Sequence, residues 1–109
     1  MDLENAIETY ATNEAKEEIE YRLALQKEDI EYGESNDPPN LYLAYSDTYE
    51  WAQEHGLRAM LTSLRRVAIA TGVYREVTDD ELARTTVMGG KAYEFKLDGK
   101  KYEFDRHPS

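Results

Sequence analysis

The residues that could do chemistry on their own are few and scattered along this sequence. The two histidines, His55 and His107, stand alone, and no pair of histidines has the spacing of metal ligands. The chain has no cysteine, which excludes a thiolate nucleophile and a zinc–thiolate site. Residues 88–91 (MGGK) lack the first glycine and the following Ser or Thr of a phosphate-binding loop. We therefore expect no enzyme, no metal site and no cofactor.

Carboxylates are the abundant reactive groups, and their distribution along the chain is uneven. The 109 residues contain 23 Asp and Glu against 13 Lys and Arg, for a formal net charge of −10. Residues 1–40 hold 12 of the acidic residues and 3 of the basic ones. A negative surface repels phosphate backbones and anionic lipids, and it attracts basic proteins. We expect a basic protein partner, no direct nucleic acid and no membrane, unless the charge serves only solubility.

The acidic N-terminal region, residues 1–33, has the pattern of a long helix. Good helix formers dominate, and neither Gly nor Pro occurs before Gly33. An apolar stripe at helical spacing identifies the buried side, and its members are Ala11, Ala15, Ile19, Leu23 and Ile30. The stripe does not continue upstream. Two interpretations stay open: a break near Thr12-Asn13 with Asn13 capping a second helix, or one helix that packs different faces along its length.

Tyr10, Tyr21 and Tyr32 are spaced by eleven residues, which is about three helical turns. On a continuous helix they project to nearly one side, close to Leu25 and several glutamates and opposite the apolar stripe. Tyrosine is enriched at protein interfaces, and carboxylates pair with Arg and Lys of a partner. The alternative is that the tyrosines border the core beside a solvated acidic side. The predicted partner-binding residues are Tyr10, Glu14, Glu17, Glu18, Tyr21, Glu28, Asp29, Glu31 and Tyr32.

A helical pair is predicted over residues 41–71. Residues 33–40 contain two prolines after Asn36-Asp37 and therefore form a loop. The first helix of this pair should end at Gly56, although Asp47 and Glu50 could cap a shorter helix that starts inside it. The second helix should span residues 57–71 and end at Gly72.

The C-terminal region is predicted to hold a short helix over residues 78–85 and a β-hairpin region over 86–105. Asp98-Gly99 is a strong signal for a two-residue hairpin turn, which would pair Phe95 with Tyr102 and Tyr93 with Phe104. A lone hairpin is marginally stable in water, so a third strand is expected. Residues 85–88 are the candidate for that strand.

Two basic features allow a nucleic-acid interpretation. Arg58, Arg65 and Arg66 could contact phosphate, or could pair with the acidic first helix of the same chain or of a dimer mate. The helix at 57–71, the short helix and the hairpin also match the order of a winged helix. Because Asp79, Asp80 and Glu81 would then enter the DNA groove, the charge has the wrong sign.

The sequence predicts a single α+β domain over residues 1–109. The N-terminus lacks the features of a signal peptide, so a cytoplasmic location is the expectation. The profile resembles that of small inhibitors and accessory proteins of phages and mobile elements, without a shared motif. We expect a non-enzymatic inhibitor of a basic, nucleic-acid-handling protein that acts in part as a nucleic-acid mimic. The alternatives are an assembly subunit with homo-oligomeric helix packing, of which a homodimer is the simplest case, and a winged-helix-like regulator.

Overall fold

Helices dominate the N-terminal two thirds of the computed structural model, and a small sheet follows. The structure describes residues 1–33, 38–80 and 93–104. Within these ranges it contains four α-helices and three antiparallel strands, which confirms the α+β class. The chain divides into two compact units, residues 1–67 and 68–109.

The N-terminal region is two helices, so the first of the two interpretations is confirmed. Helix α1 spans Leu3–Tyr10 and helix α2 spans Asn13–Glu31. Ala11 and Thr12 have extended backbone, and the Thr12 hydroxyl accepts a hydrogen bond from the Ala15 N–H at 3.1 Å. Thr12 is therefore the N-cap, and the prediction that Asn13 caps this helix is wrong. Asn13 already has helical backbone, which leaves the preceding residue to satisfy the free N–H groups.

The predicted helical pair is confirmed, with helix α3 at Leu41–Glu54 and helix α4 at Arg58–Ala70. The Asn40 side chain caps α3 by accepting from the Leu43 N–H, so no shorter helix starts at Asp47. Both helices end in the same manner. Gly56 and Gly72 have φ of +65° and +85°, and the next residue in each case bonds back to a carbonyl five positions earlier. This pattern favours glycine because it needs a left-handed residue.

The core of the first unit is built from small and aliphatic side chains. Leu64, Val67 and Thr48 are its largest fully buried members. Four alanines of α1, α2 and α3 are also fully buried, and small side chains let helix backbones approach closely: Ala6, Ala15, Ala44 and Ala52. The Tyr45 hydroxyl donates a 2.6 Å hydrogen bond to the Leu64 carbonyl and so joins α3 to α4 inside this core.

The second unit contains a sheet with strand order β1-β3-β2, formed by Tyr74–Glu76, Lys100–Phe104 and Phe95–Leu97. Asp98 and Gly99 both have positive φ, as the predicted two-residue turn requires. The register pairs Phe95 with Tyr102, as expected. Strand β2 begins at Phe95, so no ladder pairing of Tyr93 with Phe104 forms, and Phe104 instead pairs with Tyr74.

The third strand is β1, which is the next element along the chain after α4. The predicted strand at 85–88 and most of the predicted short helix at 78–85 lie outside the described residues, as does the tail after Phe104. The aromatic residues of the sheet share one side. Phe95 stacks on Tyr102 with ring centroids 5.5 Å apart, and Tyr74 meets Phe95 edge-on at 4.9 Å.

Candidate protein-binding face

Helix α2 has one buried side, and that side determines which residues face solvent. Ala15 and Ile19 are buried, and Leu23, Gln26 and Ile30 continue the same side at intermediate exposure. The helical period of 3.6 residues then directs the opposite residues outward. The apolar stripe predicted from the sequence is therefore the contact side of this helix from Ala15 onward.

We call the opposite side the α2 acidic face, and it consists of Glu14, Glu17, Tyr21, Leu25 and Glu28. All five residues are exposed, and the two large ones, Tyr21 and Leu25, expose 59% and 41% of their surface. These positions recur at intervals of three, four, four and three residues, so they form a continuous row. The row spans about 21 Å from Glu14 to Glu28 at 1.5 Å per residue.

The carboxylates of this face are not neutralised by the chain itself. Within the described ranges, the ion pairs do not include Glu14, Glu17 or Glu28. Of the three basic residues of α2, Lys16 and Arg22 are half-buried and Lys27 is exposed, and none of them forms an ion pair with this row in the described part of the chain. The face therefore combines an exposed tyrosine and leucine with negative charge that is free to act on a partner.

The other predicted binding residues lie outside this row to different degrees. Tyr32 caps the end of α2 and is 76% exposed, so it extends the row by one step. Tyr10 is also exposed, but it is the last residue of α1. The eleven-residue spacing does not set the direction of Tyr10, because the chain leaves the helix at Ala11. Asp29 and Glu31 are exposed on the flanks of α2.

Glu18 is the predicted binding residue that the chain already engages. Its carboxylate lies 3.9 Å from the Arg22 guanidinium, and the Arg22 guanidinium in turn lies 5.5 Å from the centre of the Trp51 ring. The Arg22 Nε is buried without a hydrogen-bond acceptor. Glu18 therefore lies beside Arg22, where α2 meets α3, and its role in binding a partner stays a prediction.

A contact between Gln26 and Asn40 holds α2 near its C-terminal end. The sequence did not predict this contact. The Gln26 side chain accepts from the Asn40 N–H at 2.7 Å and donates to the Asn40 carbonyl at 3.2 Å. Since Asn40 also caps α3, this pair aligns the end of α2 with the start of α3. The only hint in the sequence was a polar residue on the apolar side of α2.

The other candidate features have ordinary structural roles where they are described. Arg65 donates from its Nε to the Tyr49 hydroxyl at 3.2 Å. His55 caps α3, with its ring 5.5 Å from that of Trp51. In the described ranges, no group of three or more potential ligands could hold a metal ion. His107 and residues 88–91 lie outside them.

Comparisons with known proteins provide no relative for this chain. No protein-family model, curated protein or solved structure matches it significantly. Among the residues that the structure describes, no helix has both the length and the apolar character needed to span a bilayer.

Proposed function

We propose that this chain is a non-enzymatic protein that binds and blocks a basic protein through the α2 acidic face. The observation that supports the proposal is the row itself. An exposed tyrosine and leucine lie between carboxylates that have no ion-pair partner within the described part of the chain. Large side chains of this kind provide contact area, and the surrounding charge provides steering and specificity.

The charge also indicates the class of partner. Residues 1–40 carry a net charge of −9 from 12 acidic and 3 basic residues, which produces a local field that attracts cationic surfaces. Proteins that handle nucleic acids have such surfaces, because they bind phosphate through Lys and Arg. We therefore propose a nucleic-acid-handling protein as the target, and an inhibitor of the type found in phages and mobile elements as the role.

The density of charge decides how far this chain can imitate a nucleic acid. Duplex DNA carries about one negative charge per 1.7 Å of its axis, or about twelve over 21 Å. Helix α2 has six exposed carboxylates, of which three belong to the α2 acidic face. The proposed mimicry is therefore partial: carboxylates occupy part of a phosphate-binding surface, while Tyr21 and Leu25 supply contacts that a phosphate backbone lacks.

The test is capture of partners from a host-cell lysate by the wild type and by the variant E14Q/E17Q/E28Q/D29N. The expected result is a basic protein that the wild type retains and the variant loses, with affinity weaker by at least about tenfold, or about 1.4 kcal/mol. The captured protein should also be released as salt rises from about 0.1 M to about 1 M, where the Debye length falls from about 10 Å to about 3 Å.

A matched control removes the same charge elsewhere. The variant D47N/E50Q/E54Q/E94Q changes four exposed carboxylates outside α2 and should retain the partner like the wild type. Equal loss in both variants would mean that only net charge matters, and equal retention in both would reject the α2 acidic face as the binding site. A stable oligomer of the chain in light scattering, broken by the first variant alone, would instead favour the assembly-subunit alternative.

A further inference from the structure

A groove lies beside helix α2 on a side that the α2 acidic face does not include. Its volume is about 340 Å³, and α1, α2 and the first residue of α3 line it. Its apolar lining comes from Ile7, Ile19, Leu23 and Leu41. The volume falls at the lower end of the range of about 300 to 1,000 Å³ that ligand pockets occupy.

The rim of this groove is acidic. Glu4, Glu8 and Glu20 border it, and all three are exposed. The one cation among the residues that line the groove, Lys16, lies 3.6 Å from the Glu8 carboxylate and is therefore already engaged. The groove thus combines an apolar floor with an excess of negative charge at its mouth.

We propose that this groove receives the apolar side chains of a basic amphipathic helix of the partner. An apolar floor is filled best by side chains such as leucine, because polar groups placed there would lose hydrogen bonds to water. The acidic rim is complementary to Lys and Arg at the flanking positions of the same helix, and amphipathic helices bind grooves in this way. A second copy of this chain is a poor occupant, since each copy carries a net charge of −10.

The groove adjoins the α2 acidic face, so one partner can contact both. Glu20 of the rim and Glu17 of the α2 acidic face are three residues apart on α2, which makes them neighbours on the helix surface. This inference rests on the proposed function and makes it more specific, because it assigns to the basic partner a helix with an apolar stripe.

The probe is a fluorescent synthetic peptide of about 18 residues, long enough to populate a helix, with leucines along one helical stripe and lysines elsewhere. A second peptide has the same composition in an order that destroys the stripe. Titrated into the full chain, the striped peptide should bind at least about tenfold more tightly than the shuffled one. In methyl NMR spectra it should shift the signals of Ile7, Ile19 and Leu23.

Two substitutions that change the charge by the same amount test where the striped peptide binds. E20K at the rim should weaken the striped peptide by at least about tenfold, whereas E50K, on the exposed surface of α3, should change binding by less than about twofold. Equal binding of the two peptides would overturn the proposal. So would methyl shifts confined to Leu25, or equal effects of E20K and E50K.

These outcomes are separate from those that test the proposed function. If E14Q/E17Q/E28Q/D29N loses the natural partner but the striped peptide leaves the groove methyls unmoved, the α2 acidic face binds the partner and the groove inference is wrong. If the peptide occupies the groove while that variant retains the natural partner, the groove inference stands and the α2 acidic face is rejected.

Discussion

The two compact units of this chain, the helical unit of residues 1–67 and the unit of residues 68–109 that contains the sheet, differ in net charge and in ion pairing. Residues 1–67 contain 15 acidic and 6 basic residues, whereas residues 68–109 contain 8 acidic and 7 basic ones. In the second unit charges are paired across neighbouring strands: Arg75 with Glu103, and Lys100 with Glu76. In the first unit the α2 acidic face has no such pairing within the described residues. The charge excess is therefore not spread over the chain but concentrated in its helical unit.

The two units also differ in the kinds of side chain that they pack. The helical unit buries mainly alanines and aliphatic residues together with Tyr45, whereas its residues Tyr10, Tyr21 and Tyr32 are exposed. The sheet instead gathers Tyr74, Phe95 and Tyr102 on one side, where they contact one another. Tyrosine thus occurs both at the surface and in the core of the helical unit, where Tyr45 is buried, and it contributes to the ring contacts of the sheet. Residue type alone does not distinguish these roles, because both follow from which side of the element is buried.

The largest expected effect tests the aromatic packing of the sheet. Phe95→Ala should lower the free energy of opening of strand β3 by about 3–5 kcal/mol, because Phe95 is 5% exposed and loses two ring contacts. Hydrogen exchange of the β3 amides measures this. Phe104→Ala is the matched control, since Phe104 is 51% exposed, and its effect should be at most half as large. Similar effects would contradict the assignment of Phe95 as the centre of the packing.

The next effect tests the aliphatic core of the helical unit. Leu64→Ala should lower the free energy of unfolding by about 3 kcal/mol, because Leu64 is fully buried and its removal leaves a cavity. Urea denaturation followed by Trp51 fluorescence gives the value. Leu43→Ala removes the same atoms from a side chain that is half exposed, and it should cost less than about 1 kcal/mol. A small loss for Leu64→Ala would mean that the core relaxes to fill the space.

A smaller effect tests the break that separates α1 from α2. Thr12→Ala should destabilise the chain by about 1 kcal/mol, because it removes the side-chain acceptor for the Ala15 N–H. Thr9→Ala, at an exposed position of α1, should be neutral or slightly stabilising. Thermal unfolding monitored by circular dichroism compares the two. A rise in helix content and stability for Thr12→Ala would contradict this prediction, because it would mean that the Thr12 side chain does not stabilise the break between α1 and α2.

The smallest effect tests charge pairing in the sheet. Lys96 and Lys101 lie directly opposite each other on β2 and β3, and like charges in this arrangement are unfavourable. Lys96→Glu should therefore stabilise the sheet by about 0.2–1 kcal/mol, and Lys96→Gln by less. Urea denaturation at low and high salt separates the electrostatic contribution to stability from the rest, since the stability gained by Lys96→Glu should shrink as salt rises. Destabilisation by Lys96→Glu would show that the pair has a favourable role.

The parts of the fold that the sequence predicted are those governed by local signals. Helices α3 and α4 end where Gly56 and Gly72 supply left-handed residues, and the hairpin turns at Asp98-Gly99. Strand β1 was missed because three residues, Tyr74–Glu76, are too few to display an alternating pattern. Its pairing with β3 also joins positions far apart in the chain, which no local signal reveals.

The candidate site was predicted in part for the same reason. The periodicity of α2 identified the outward row, because one buried side dictates the other. It could not place Tyr10, whose direction depended on whether the helix continued past Ala11. It also included Glu18, although an arginine four residues later on the same helix is a local signal for an ion pair.

The contact between Arg22 and Trp51 makes this chain convenient to observe in solution. Trp51 is the single tryptophan of the sequence, and a cation from α2 lies against its ring. Its emission therefore reports optically, without a dye, whether α2 remains docked on α3. A partner that binds the outer side of α2 should leave this emission nearly unchanged, whereas one that pulls the helix away should alter both its wavelength and its intensity. A single cuvette titration thus distinguishes rigid docking from binding that remodels the helical unit.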